Sequence, residues 1–413
     1  MDRAELARLL GAPAGQVAEP RRGATVIAET DAADFMAALA SATAQGGVVL
    51  LASDSWGEHE RQQLAVLREQ EQITPATAAG KGWLCLPTGG TSGGLKFARH
   101  DEETLAAAVR GFVRHFKLSR VNAIGVLPLF HGSGLMAWLR CALTGGEYRP
   151  LDWQALVAGR LPLLAEKPDG WMISLVPTQL ERLLRSAAAV AWLQGFRLIL
   201  LGGGPSWPGL LEKAAAARLP LAPGYGMTET AAMVTALRPE DFLAGGRSSG
   251  TALPHATVKI GAEETIVLGG DSLFRGYHPQ WRDRWDFATG DRGRLDADGH
   301  LHVAGRRDDI IITGGEKVEP AEVEELLRDT GQFPDLVVLG LPDAQWGQLL
   351  VVVYPGNAHP DFHPVIKALS HLADHKRPKR YIPLVGPWPV SENGKVNRAD
   401  LVLRVVAQMK VRR

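Results

Sequence analysis

The sequence predicts an α/β protein: a large, layered N-terminal domain with a β subdomain, followed by a small α+β C-terminal domain. Three observations lead there. Between residues 103 and 219, short apolar runs alternate with helical stretches, the pattern of strands and helices packed in layers. After about residue 250 the texture shifts to short strand-like segments between charged, Gly-rich turns. After GRRDD (305–309) a fresh unit starts in the order strand, helix, strand, strand, helix. The domains are accordingly set at 1–307 and 308–413.

In chain order, VVLLAS (48–53) reads as a short buried strand and GEHERQQLAVLREQ (57–70) as a helix. LCL (84–86) reads as a strand entering a Gly-rich loop, and the next helix is ETLAAAVRGFVRHF (103–116). NAIGVLPLF (122–130), WMISLVP (171–177) and FRLILLGGG (196–204) are apolar runs of strand length that end in loops. TQLERLLRSAAAVAWL (178–193) and GLLEKAAAARL (209–219) read as helices, and ATVKI, EETIVLG and HLHVAG as strands of the β subdomain. The last unit reads IIITGGEKVEP, helix AEVEELLRD, DLVVLGLPD, QLLVVVYPG and a helix around HPVIKALSHLAD. In alternating α/β proteins the functional loops gather at strand ends.

Composition narrows the function classes. The 413 residues carry 45 basic and 45 acidic side chains, so no net charge advertises nucleic acid or an anionic membrane. Two cysteines, Cys85 and Cys141, exclude a disulfide scaffold and a Cys-based zinc cluster, and their apolar surroundings make them core fillers. No HExxH or comparable histidine cluster occurs. Asp2 and Glu5 stand where a signal peptide needs a basic end, and no apolar run reaches membrane-spanning length. A cytoplasmic protein without membrane insertion is expected. Residues 374–413 hold ten Lys/Arg against three Asp/Glu, either a solvated face or part of the path of a phosphate-bearing ligand.

The sharpest local signal is LCLPTGGTSGGLKFARH (84–100). Its glycines, Gly89, Gly90, Gly93 and Gly94, let backbone N–H groups converge on an anion. Thr88, Thr91 and Ser92 add hydroxyl donors and Lys96 a point charge. The P-loop of NTPases fits poorly. Gly89 and Gly94 have its separation, but Leu95 precedes the lysine and Phe97 takes the place of the magnesium-binding Ser/Thr. The loop therefore predicts phosphate binding without naming the chemistry.

Further stretches appear in order: PLFHGSG (128–134), GGGP (202–205), GYGMTET (224–230), TGD (289–291), GRRDDIIITGGEKVEPAEVE (305–324) and NGKVNR (393–398). With PTGGTSGGLK (87–96) they span about three quarters of the chain. Together they resemble the acyl-adenylate-forming enzymes: acyl-CoA synthetases, peptide-synthetase adenylation domains and luciferases. The loop departs from the commonest family form, Ser-Gly-Thr-Thr-Gly, but keeps its glycines, hydroxyls and lysine. The resemblance implies two half-reactions with ATP, Mg²⁺ and coenzyme A. A carboxylate displaces pyrophosphate from ATP to give an acyl-adenylate, and a thiol then displaces AMP. It also implies a mobile C-terminal domain that rotates between the steps.

By the same resemblance, Thr228 lies near the α-phosphate and Glu229 binds the metal, since an acid beside polyphosphate needs a cation between them. Gly224, Tyr225 and Gly226, with Gly202, Gly203, Gly204 and Pro205, border the adenine. Asp291 accepts from the ribose hydroxyls, a role suited to an acceptor-only side chain, and Arg306 lies beside it. Asp308 is the hinge. Lys395 bridges the acyl carboxylate and α-phosphate during adenylation. Gly314 and Gly315 enter after rotation and line the pantetheine tunnel. His131 sits beside the acyl tunnel as a gate, a structural residue or a catalytic group, and Ser133, Gly134 and Met227 are tunnel-wall candidates.

The region before the phosphate loop is short, about 85 residues. That compactness and the PTGGTSGG loop resemble the 2-succinylbenzoate–CoA ligases of menaquinone and phylloquinone biosynthesis. The implied acid is an aromatic dicarboxylate whose ring carboxylate stays charged, which calls for a cation or several donors. No single arginine stands out for that role. Other aryl- or short-acyl-CoA ligases, a carrier-protein-loading enzyme and a silent nucleotide-binding module remain alternatives. A homodimer is the expected assembly.

Overall fold

The computed structural model describes residues 1–12, 24–69, 81–88, 94–165, 169–283, 285–343, 345–390 and 396–411. The first sheet joins β1 (Thr25–Ile27), β2 (Val49–Leu51), β3 (Leu84–Thr88) and β4 (Lys96–His100) in that order. Its first three strands are parallel, and β4 returns antiparallel to β3. The helix Ala32–Gln45 covers it with Phe35 and Leu39, which join Val49, Leu51, Leu84 and Leu86 in one apolar cluster.

The second sheet is built from β5 (Ala123–Gly125), β6 (Tyr148–Pro150), β7 (Met172–Leu175), β8 (Leu198–Leu201), β9 (Leu221–Met227), β10 (Ala232–Ala236) and β11 (Thr251–Ala252). Their spatial order is β11-β10-β9-β8-β7-β5-β6, parallel from β9 to β6 and antiparallel beyond β9. LILL is apolar throughout because both faces are covered. Ile199 and Leu201 enter one core cluster, and Leu198 and Leu200 the opposite one. The expected layered α/β architecture is what the chain adopts.

Three segments differ from expectation. NAIGVLPLF is a strand only at Ala123–Gly125, because Pro128 has no N–H for a ladder and His131 N closes a turn on Pro128 O. Residues 178–193 form two helices, Pro177–Leu184 and Ala187–Gln194. Ser186 restarts the helix by accepting from Ala189 N at 3.3 Å. IIITGGEKVEP is a hairpin rather than one strand.

The third sheet, β12 (Ala256–Ile260), β13 (Thr265–Gly270), β14 (Asp286–Leu295) and β15 (Leu301–Arg306), is an antiparallel meander. The C-terminal sheet contains β16 (Ile311–Thr313), β17 (Glu316–Val318), β18 (Val337–Asp343), β19 (Gly347–Pro355) and β20 (Arg380–Leu384). It runs β17-β16-β19-β18, with β20 also paired to β19. It has its own core on both faces. Val338, Leu350 and Val352 meet the helix Pro320–Asp329 through Val323 and Leu327, while Val351 and Val353 meet Leu401 and Val405 of the helix Arg398–Val411. Arg292 bridges from β14 to Glu319, just before that first helix, at 2.8 Å.

Candidate active site

β3 and β4 pair from Leu84↔His100 to Thr88↔Lys96, so the Gly-rich segment connects a β-hairpin instead of joining strand to helix. Thr88 and Lys96 face each other at its base. Leu95 N donates to Gln63 Oε1 at 2.7 Å, just after Gly94. Gly89, Gly90, Thr91, Ser92 and Gly93 lie outside the described residues, as does Lys395.

β9 carries GYGM at its C-terminal end, and a short 3₁₀ turn, Thr228–Thr230, follows. The glycines permit close approach. A Cβ on Gly226 would stand 2.0 Å from Ala232 O, and one on Gly202 would stand 3.4 Å from Gly224 O. GGGP and GYGM are therefore neighbours; Gly203 takes φ +78°, the left-handed region, just before Gly204 and Pro205. His100, fully buried at the end of β4, anchors the turn by donating from Nε2 to Thr228 O at 2.8 Å. Burial outweighs that bond and holds its pKa down at about 4, so the ring is neutral.

Glu229 is buried, and its Oε1 accepts from the Tyr277 hydroxyl at 2.6 Å. No bond to Oε2 is found among the described residues. Lys96 Nζ lies over the Tyr277 ring, 5.7 Å from its centroid, so one phenol neighbours both the hairpin cation and the Glu229 carboxylate. No cluster of three or more His, Cys, Asp or Glu able to cage a metal occurs among the described residues. A lone carboxylate fits Mg²⁺, which takes few protein ligands and keeps phosphate and water oxygens.

Asp291 on β14 faces Arg306 on β15 in register. Its Oδ2 accepts from the Tyr225 hydroxyl at 2.6 Å, and Arg306 Nη1 lies 3.8 Å from Oδ1. Burial first, then the adjacent Asp291 carboxylate, push the Tyr225 phenol up. Tyr225, expected to border adenine, thus also ties the GYGM strand to the third sheet. Arg306 Nε is buried with no hydrogen-bond partner among the described residues, and Arg306 Nη2 reaches Asp308 Oδ2 at 3.6 Å. Asp308 sits in the 3₁₀ turn Arg307–Asp309 between the third and C-terminal sheets.

His131 caps the helix Gly132–Thr144, its ring 4.3 Å from that of Phe130. The helix start abuts the Thr228 turn: a Cβ on Gly132 would lie 3.9 Å from Thr228 Cα. Ser133 is exposed, while Gly134 packs on the carbonyls of Leu127 and Pro128. Met227 is half-buried in the cluster that contains Val234 and Ile266. Gly314 and Gly315 form the β16–β17 turn with φ +60° and +85°, and Gly314 N donates to Trp346 O at 2.8 Å. Their described bonds run within the C-terminal sheet.

Sequence reasoning missed His100 and Tyr277 at the Thr228–Glu229 turn, and it did not single out Arg140. Arg140 lies on the helix begun by His131, at 3% exposure. Its guanidinium covers the Phe112 ring at 4.1 Å, its Nε has no hydrogen bond, and no carboxylate pairs with it among the described residues. Burial lowers its pKa to about 10. A lone arginine in the apolar run LMAWLRCAL was the signal that could have flagged it.

Residues 16–278 match the profile described as AMP-binding enzyme, and the chain belongs to that family. The 2-succinylbenzoate–CoA ligase of Listeria monocytogenes is 35% identical over 284 residues, covering 67% of this chain and 60% of that protein. The chain thus spans about 60% of the length of that curated relative. A variant E. coli MenE with bound OSB-AMS shares 25% identity at TM-score 0.75, covering 98% of this chain and 91% of that one. Bacillus subtilis MenE in complex with ATP and magnesium ion superimposes at TM-score 0.74 with 22% identity, covering 96% and 92%. No helix among the described residues is long and apolar enough to cross a membrane.

Proposed function

We propose that the chain is an AMP-forming acid–CoA ligase that activates 2-succinylbenzoate, a step of menaquinone or phylloquinone biosynthesis. The observation that carries the reading is that the Thr228–Glu229 turn is tied to the first sheet through His100 and to Tyr277, which Lys96 overlies, while Tyr225 on the strand before that turn bonds Asp291. In the first half-reaction a substrate carboxylate oxygen bonds to the α-phosphorus of ATP and the bond to pyrophosphate breaks. In the second, coenzyme A sulfur bonds to the acyl carbon, the bond to AMP breaks, and the thiol proton leaves to solvent.

Asp291 accepts from the ribose hydroxyls, with Tyr225 and Arg306 fixing its carboxylate. Thr228 is held through its carbonyl by His100, and its backbone lies beside the start of the His131 helix. Lys96 and the loop amides neutralise polyphosphate, and Lys395 is assigned to the α-phosphate during adenylation. Glu229 would hold Mg²⁺, which supplies charge neutralisation to the departing pyrophosphate. Asp308 is the proposed hinge of a C-terminal domain, 308–413, which brings Gly314 and Gly315 to the thiol step. ATP and coenzyme A are cytoplasmic substrates, and the reaction is assigned to that compartment.

The relatives' substrate class is supported by Arg140. A buried guanidinium without a carboxylate partner among the described residues suits a ligand that brings a second carboxylate. At about 1.5 Å per residue, Arg140 is roughly 13 Å along its helix from His131. The test is a screen of acids by ATP–pyrophosphate exchange, followed by thioester formation with free coenzyme A. Exchange that depends on 2-succinylbenzoate supports the reading. ATP binding with no exchange for any acid, or cleavage of ATP to ADP, refutes it.

A further inference from the structure

The segment 274–278 behaves as a short extra strand along β4. Arg275 N donates to Arg99 O at 2.8 Å, Arg99 N to Gly276 O at 2.9 Å, and His278 N to Phe97 O at 2.9 Å, with Tyr277 bridged to Ala98. Its base is clamped by Arg275, whose Nε lies 2.8 Å from the fully buried Asp101. Tyr277 is therefore fixed in direction, and its ring is braced by Phe274 at 4.9 Å. The phenol bonds Glu229 Oε1, Phe274 N donates to Glu229 O at 2.8 Å, and Lys96 stands over the ring. One aromatic residue thus contacts the acid and the cation that the AMP-forming reading assigns to metal and polyphosphate.

We infer that Tyr277 is a positioning residue for the adenylation step. Its hydroxyl occupies Glu229 Oε1 and turns Oε2 toward the divalent cation that accompanies ATP. Its ring face keeps the Lys96 ammonium on the phosphate side and apart from Glu229. Without the phenol, a direct Lys96–Glu229 ion pair would tie up both groups. The inference rests on the proposed function for the identity of the reaction. Its test needs only ATP and magnesium, so the two can fail separately.

The experiment titrates full-length wild type, Tyr277→Phe and Tyr277→Leu with ATP by calorimetry, once in chelator and once across a magnesium series. Tyr277→Phe keeps the ring and loses the hydroxyl. The magnesium concentration for half-maximal enhancement of ATP binding should rise about tenfold, with ATP affinity in chelator held. Tyr277→Leu also frees Lys96 and should weaken ATP binding in chelator severalfold. In pyrophosphate exchange, the magnesium requirement of Tyr277→Phe should shift by the same factor. An unchanged magnesium midpoint in Tyr277→Phe overturns the inference. So does an equal loss of ATP affinity with and without magnesium accompanied by a fall in melting temperature, because that marks a purely structural residue. Lack of exchange with 2-succinylbenzoate by the wild type would overturn the assigned acid, while the binding titrations still decide Tyr277.

Discussion

Replacing Arg140 with methionine separates a ligand-binding role from a structural one by the sign of its effect on stability. Burial lowers the guanidinium pKa from 12.5 to about 10. That drop corresponds to roughly 3 kcal/mol against the charged form in the empty protein, at about 1.4 kcal/mol per unit. Because the folded value is the depressed one, the penalty is present in full at pH 7 and is relieved only as pH rises from about 10 to 12.5. Stacking on Phe112 offsets about half of it, about 1–2 kcal/mol for a desolvated cation on an aromatic face. Arg140→Met should therefore leave the ligand-free protein as stable as before or raise its melting temperature by about 2–4 °C. On the proposed function, the same change removes the partner of the ring carboxylate. Losing one side of a buried charge pair costs about 2–5 kcal/mol, a KM for 2-succinylbenzoate raised roughly 30- to several-thousand-fold. The control acid is 4-oxo-4-phenylbutanoate, identical but for the missing ring carboxylate, and its KM should not rise. Pyrophosphate release with both acids and a thermal melt without ligand complete the assay. A variant destabilised by several kcal/mol, or equally impaired with both acids, would show that Arg140 serves the fold and not the substrate.

Other expectations follow from neighbouring groups. Asp291→Ala removes the acceptor for the ribose and orphans the Tyr225 hydroxyl, so ATP affinity should fall about 10- to 100-fold by equilibrium binding, and Tyr225→Phe should cost less. Unchanged ATP affinity in Asp291→Ala would remove the ribose role. Lys395→Ala should cripple pyrophosphate release yet spare thioester formation from supplied acyl-adenylate; equal loss in both steps would count against a rotating C-terminal domain. His100, His115 and His255 are each held near 4 by burial, below the ordinary 6.5. Their neutral forms favour the fold fully above pH 6.5, and that stability is lost as pH falls from about 6.5 to 4, because the unfolded chain takes up protons the fold refuses. For fully buried His100 the loss is about 3 kcal/mol by pH 4. The urea midpoint should drop across this window, and a His100→Gln variant should show a shallower drop. Asp309 and Asp335, whose burial raises their pKa, act in the opposite direction.

The sequence by itself determined the layered class and where most strands lie along the chain, and it marked the candidate residues of a nucleotide site. Apolar runs such as LILL follow from local periodicity, and GYGMTET, TGD and GRRDD carry their chemistry within a few residues. Local pattern also misled: it merged two helices across Ser186 and drew a hairpin at Gly314–Gly315 as one strand, because a single hydroxyl cap or a glycine pair outweighs the surrounding periodicity. Only the tertiary structure decided which groups meet. Tyr277 reaches Glu229 because its segment pairs with β4, and His100 reaches Thr228 across residues 100 to 228. Arg140 counts as a buried cation with no carboxylate partner among the described residues only once the helix Glu102–Phe116 and its neighbours close over it. Partnership and burial depend on contacts between elements distant in sequence, and neither composition nor spacing encodes them one residue at a time.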